Sequence, residues 1–493
     1  MKKKFFRVLS LLLCILLCSP ILISCKKKEE DKNTNTASTV TDDGYDFPES
    51  IELSDGELNI YNINTYYNAI INLDAKEMKG ETVSDAIYTR NRNFESIYNI
   101  KVVEELMDFN NNDNNFNVMA DNVYKSYAAG EDRYDAVYTS LFRQYSMVQR
   151  GLLMDLNELT ELRLEEKWWD ASLNASCMLN DGKRYVASGS LNLMPYELTW
   201  LIFFNKQILT DNKIKDDLFE LVRNHQWTLE KMYQIAARAI TLDGNSYEFD
   251  AGNATVYGIA VHNASPMHFV NGTGITFIRE DPERKYVFRC SNSESFSDIS
   301  YRLSMIFTRS DGMAIGNYYE TDHDDGYVPV FNKGKALFLN AELKSGMTLK
   351  KVLNTDVNYG VLPMPLANTD QENYIADVSN STMFLAIPKS NRSPGASATA
   401  IDALTYMSYS QVMPIYYDQY ISYRGLNDKD SLEMLNKYIM PGRIIDRGIL
   451  YNWTNDFVDS YNQAIFNGTS YSNLVAINTK PINSKIKSFF SGS

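Results

Sequence analysis

Cysteine and histidine are scarce in this 493-residue chain, with 5 of the first and 4 of the second, and their placement closes off most metal and catalytic chemistry. Cys14, Cys18 and Cys25 fall at the amino terminus, so the body keeps only Cys177 and Cys290. A disulfide between those two is open to an exported chain. It would, however, span the crossing at 189–197 described below and jam an opening motion, so two buried free thiols are expected. His225, His262, His268 and His323 include no pair at helical i,i+4 spacing, and no metal is expected. No Gly-x-Ser-x-Gly elbow and no phosphate-cradling glycine loop occurs, and no cofactor is expected. Positive charge is in deficit, with 48 Lys and Arg against 62 Asp and Glu, and a net charge of -14 argues against a nucleic-acid surface.

The apolar stretch Val8 to Ile23 follows Lys2, Lys3, Lys4 and Arg7, the layout of an export signal over residues 1–24. A plain secretory signal or a single membrane span competes with this reading, but the run is shorter than the ~20 residues a span needs. Leu22-Ile23-Ser24-Cys25 resembles the lipobox of bacterial lipoproteins, which implies lipidation at Cys25. The rest of 25–49 is charged, rich in Asn, Thr and Asp, and nearly free of apolar side chains, so it reads as a disordered tether reaching about 25 to 30 Å.

What remains is ordinary globular composition, 44% hydrophobic and 22% charged, long enough for two lobes. Glu57 to Ile63, Ile100 to Glu104 and Tyr134 to Tyr138 read as strands separated by helical stripes, the pattern of a mostly parallel sheet. Lys183 to Ser188 and the apolar run Leu198 to Phe204 read as two further strands. Gly189 to Glu197 between them is too short to be a surface loop, so the chain crosses there from one α/β lobe to another. A second crossing is expected at Asp377 to Ser381 and a third short connector at Arg443 to Trp453. Beyond the first crossing, Thr228 caps a helix, Tyr257 to Val261 is a strand, and Asn332 to Leu339 is a short helix feeding a strand.

In order along the chain, Tyr134-Asp135-Ala136-Val137, Gly151 to Leu156, Asp181-Gly182-Lys183, Asn205-Lys206, Trp227-Thr228, Tyr257-Gly258, Gly334-Lys335-Ala336 and Tyr359 to Pro363 resemble the extracellular solute-binding proteins of ABC importers, in particular the sugar-binding group. The resemblance covers nearly all of 50–465. It implies an α/β, two-lobe, periplasmic-binding-protein-like (type II) fold with hinge strands and an interlobe cleft. The lobes would be 50–194 plus 383–442, and 198–378 plus 443–493. It further implies a lipid-anchored monomer on the extracytoplasmic face of the cell membrane. Such a receptor captures a small polar solute, a mono- or oligosaccharide, and passes it to the transmembrane subunits of an ABC permease without chemistry. A receptor for peptides or other polar solutes, and a polysaccharide-degrading surface lipoprotein with two cleft carboxylates, are the alternatives.

Ligands of open α/β sheets bind at the carboxyl ends of strands. On that rule Asn64, Thr65, Thr139, Ser140 and Arg143 are candidates in the first lobe and Asn340 and Glu342 in the second, with Glu197 and Asn380 beside the crossings. Each alone is as readily a loop or capping residue; their convergence is the argument. Trp453, flanked by Asn452 and Thr454, is either a stacking platform for a sugar or a structural hinge tryptophan. Trp200 and Trp227 read as core, and Trp168 and Trp169 as one buried residue and one surface clamp.

Overall fold

The computed structural model describes residues 44–64, 73–108, 114–244, 252, 254–308, 312–316, 327–345, 357–418, 421, 426 and 428–491. The export signal, Cys25, the tether up to residue 43 and Thr65 lie outside them. Among the described residues no helix is long and apolar enough to cross a membrane.

Two sheets organise the chain. The first contains β1 (Glu57–Asn64), β2 (Lys101–Asp108), β3 (Ala136–Ser140) and β12 (Met383–Ala386) in the order β12-β3-β1-β2. β1 runs parallel to β2 and β3, while β12 is antiparallel to β3. The second contains β4 (Trp200–Asn205), β5 (Tyr257–Val261), β8 (Ala314–Gly316), β9 (Ala336–Glu342) and β10 (Tyr359–Leu362) in the order β10-β4-β9-β5-β8. A hairpin, β6 (Ile278–Asp281) with β7 (Lys285–Phe288), and a two-residue parallel pair, β11 (Ala376–Asp377) with β13 (Arg443–Ile444), complete the strands.

Local chemistry explains the helices between them. Helix Thr82–Tyr98 buries Val83, Ala86, Ile87, Phe94 and Tyr98 along one stripe and ends where Asn99 turns left-handed at φ 54°. Helix Leu229–Ala239 starts where the Thr228 hydroxyl accepts the Lys231 N–H at 3.2 Å, and it buries Leu229, Met232, Ile235, Ala236 and Ala239. All six residues of β4 are buried, as its unbroken apolar run requires.

Three expectations are corrected. Lys183 to Ser188 is not a strand: Ala187 makes one isolated bridge to Leu385, while the N–H groups of Arg184 and Ser188 are taken by the side chains of Asp155 and Asn174 at 3.0 and 2.7 Å. Neither Trp168 nor Trp169 is a surface clamp; both are buried, and both indoles donate to Asp402 Oδ1 at 2.8 Å. The short helix before β9 lies at Tyr327–Asn332, one turn earlier than its residues suggest.

One core surrounds each sheet. Leu58, Ile60, Phe94, Val137 and Leu385 pack in the first, and Ile202, Phe203, Ile259, Leu339 and Val361 in the second. While the stretch at 408–415 packs on helix Thr82–Tyr98, Met434, Leu435 and Ile439 join the second core, although the first lobe is expected to run to 442. The reason is local: the Ser431 hydroxyl accepts the Val361 N–H of β10 at 3.1 Å and seats this helical stretch on that strand. Cys177 and Cys290 are both buried and free.

Candidate functional site

Three chain crossings meet side by side. Thr199 forms an antiparallel bridge with Val378, and Ser379 N–H donates to Leu198 O at 3.0 Å. Val378 N–H in turn donates to Ile444 O at 3.0 Å, next to the β11–β13 pair. Each chain therefore satisfies its backbone groups on the next.

Both sheets turn the same edge toward this junction. β5, β8 and β9 are parallel, so Val261, Gly316 and Glu342 end at one edge, where antiparallel β4 begins with Trp200 opposite Glu342. β1, β2 and β3 likewise end together at Asn64, Asp108 and Ser140, where β12 begins with Met383 opposite Ser140. β4 follows the first crossing and β12 the second, so both carboxyl edges open at the connectors. That is the place where α/β sheets bind ligands.

Charged and aromatic side chains fix the junction. Arg443 pairs with Asp170, the residue that caps helix Ala171–Cys177, and both are buried. Its guanidinium also donates to Pro195 O at 3.4 Å and lies 4.2 Å over the Tyr196 ring. His268 donates through Nδ1 to Asp377 Oδ2 at 2.7 Å and stacks on Trp200 with ring centres 3.9 Å apart. Asp446 accepts the N–H groups of Phe277 and Gly448, each at 2.6 Å. Burial outweighs those hydrogen bonds and, with the nearby Asp377 carboxylate, raises its carboxyl to about 6. Only glycine fits at 448, where a Cβ would stand 2.7 Å from Thr454 Oγ1. Trp200 Nε1, Asp377 Oδ1 and Thr382 Oγ1 are buried without a hydrogen-bond partner among the described residues.

The expected site residues divide accordingly. Ser140 and Asn380 are brought together, the Ser140 hydroxyl donating to Asn380 O at 3.1 Å, with Thr139 buried beside them. Glu197 is wholly buried at the end of helix Met194–Glu197, two residues before the bridge at Thr199. Glu342 pairs with Lys344 at 3.1 Å on the opposing edge. Asn340 is enclosed in the second sheet, where its amide donates to Leu201 O at 3.1 Å while Oδ1 is unpartnered. Asn64 ends β1 and Arg143 lies in helix Leu141–Gln149, but their side chains, like all of Thr65, are outside the described residues. Trp453 is 1% exposed, stacked 5.3 Å from Tyr451 and packed on Phe489. With its ring covered by Tyr286, Tyr451, Phe489 and Phe490 it is a structural tryptophan, and the groove of about 480 Å³ beside it runs between Tyr145 and Gln149 of helix Leu141–Gln149 and Ser484, Lys485 and Ser488 of helix Tyr471–Ser491.

Trp200 is buried in β4, as its reading as core expects, while sequence reasoning passes over His262, His268, Asp377 and Arg443 as junction residues. For His262 a signal exists: it directly follows β5, by the same strand-end rule that selects Ser140. Among the described residues no cluster of three or more His, Cys, Asp or Glu side chains could hold a metal ion.

No protein-family model and no curated protein matches the chain. Solved structures do. The sugar-binding protein MalE from Xanthomonas citri is similar at 12% identity and a TM-score of 0.58, over 87% of this chain and 97% of that one. A sugar transporter from Rhizobium etli, in an open conformation, is similar at 12% identity and a TM-score of 0.58, over 87% and 99%. An ABC substrate-binding protein from Listeria monocytogenes, in complex with cycloalternan, is similar at 15% identity and a TM-score of 0.51, over 87% and 98%. Likeness at these identities is likeness of fold, and the chain has the α/β, periplasmic-binding-protein-like fold of these structures.

Proposed function

We propose that this chain is an extracytoplasmic receptor that captures a mono- or oligosaccharide between two lobes and delivers it to an ABC permease, without catalysing a reaction. The observation that carries the reading is the pair of sheet edges opening at one junction of three hydrogen-bonded crossings. The sugar-binding proteins that share the fold support the choice of solute. The first lobe would be 50–194 plus 383–442 around the four-stranded sheet, and the second 198–378 plus 443–493 around the five-stranded one. The sugar would meet Ser140, Asn380 and Glu342 at the facing edges. Closing the lobes on a sugar shifts the open–closed balance only by the difference in affinity of the two states. Lipid at Cys25 would hold the receptor, as a monomer, at the cell membrane.

Thermal unfolding against a panel of maltose, cellobiose, raffinose and xylobiose tests this. A receptor is stabilised by about 2.7 kcal/mol when ligand stands at 100 times its Kd. No stabilisation by any member, or release of reducing ends from a polysaccharide, contradicts the reading. Palmitate labelling in cells that is lost in Cys25→Ser tests the anchor.

A further inference from the structure

His262 follows β5 at the carboxyl edge that Glu342 and Trp200 share. One hydrogen bond fixes its ring, the Ala264 N–H donating to Nδ1 at 3.1 Å, while the backbone N–H of His262 donates to Ser265 Oγ at 3.0 Å. Ring centres of Trp200 and Tyr327 lie 5.6 and 5.4 Å away. An imidazole that accepts at Nδ1 carries its proton at Nε2 when neutral. No described residue accepts from Nε2, and the side chain is only half-buried. We propose that His262 is a specificity-determining residue of the second-lobe wall, a neutral imidazole with a fixed tautomer whose Nε2–H donates to an acceptor oxygen of the bound solute beside Trp200 and Tyr327.

The inference rests on the receptor reading and adds to it a particular donor. Desolvation, then the neighbouring His268 and the Lys344 ammonium, push the His262 pKa down, and with Nδ1 already accepting from the Ala264 N–H the ring stays neutral at working pH. Of the groups around it, Glu342 is paired with Lys344, and His268 is paired with Asp377. A neutral, immobile N–H suits a hydroxyl or ring oxygen, and it distinguishes a solute with an acceptor at that point from one that lacks it, since a buried unpaired donor is costly.

Two measurements on the full chain test it. Long-range ¹H–¹⁵N spectra of the imidazoles are expected to show His262 as the Nε2–H tautomer, unchanged between pH 5 and pH 8; an Nδ1–H tautomer, or titration in that range, overturns the proposal. Affinity for whichever of maltose, cellobiose, raffinose or xylobiose stabilises the wild type is then compared in two variants. His262→Leu should weaken it about ten-fold or more, while His262→Gln, which keeps a side-chain N–H, should stay within about three-fold. Equal affinity in His262→Leu refutes the role of His262 and leaves the receptor standing. Failure of every saccharide to stabilise the wild type removes the receptor reading and this role with it.

Discussion

Replacing Arg443 by Met tests whether the junction is held by a buried charge pair or only by backbone pairing. The guanidinium side chain is 4% exposed and that of Asp170 is 5% exposed, so neither charge is shared with water. Methionine fills much of the vacated volume and leaves the Asp170 carboxylate buried beside Pro195 and Tyr196 with no cation. Removing one partner of a buried pair costs about 3 to 5 kcal/mol, and losing the face of Tyr196 adds up to about 1 kcal/mol. The cap on helix Ala171–Cys177 survives, because Asp170 Oδ1 keeps the Leu173 N–H at 3.1 Å. Asp170→Asn retains an oxygen for that cap while removing the charge, so the double variant Arg443→Met/Asp170→Asn should be more stable than the sum of the single losses by about 2 kcal/mol or more. Urea unfolding of the four proteins completes the cycle. A loss under about 1 kcal/mol in Arg443→Met, or strict additivity, refutes the reasoning.

Asp402→Ala strips an acceptor from Trp168, Trp169, Arg163 and the Tyr45 hydroxyl together, and should cost about 3 to 5 kcal/mol with a red-shifted tryptophan emission; an unchanged emission spectrum counts against that network. With Cys14, Cys18 and Cys25 replaced by Ser, a thiol-specific disulfide reagent should find no reactive cysteine in the folded protein and two in urea, since burial raises the Cys177 thiol to about 12 and lifts that of Cys290 well above its usual value; reaction in the native state contradicts it. Asp446, raised from 3.8 to about 6, favours the folded state fully below its unfolded pKa and loses that contribution as pH rises through about 6. The wild type should therefore lose stability relative to Asp446→Asn between pH 4.5 and pH 7, by about 2 kcal/mol, and parallel pH profiles in urea sink this assignment.

Features that a local pattern encodes were legible in the sequence. Most strands, the cap at Thr228 and the three crossings are written in spans of a few residues, and the crossings Asp377 to Ser381 and Arg443 to Trp453 contain the residues that pair at the junction; Lys183 to Ser188, read as a strand, is the exception. The strand-end rule also names Ser140 and Glu342, and nearness to the second crossing names Asn380. Partnerships across long separations were not legible: Arg443 finds Asp170 at a distance of 273 residues, Trp169 finds Asp402 at 233, and His268 finds Asp377 at 109. No periodicity marks such pairs, so a tryptophan with a hidden acceptor reads as a surface clamp. His262 was passed over for a different reason, because histidines were weighed only as metal ligands.

Hydrogen exchange with and without a stabilising saccharide measures the central claim most directly. One solute held between the lobes predicts added protection on both sides together, in 139–145 and 379–382 of the first edge and in 262–264 and 341–345 of the second. Protection confined to one of the two sheets, with the other unchanged at saturating saccharide, contradicts capture between them.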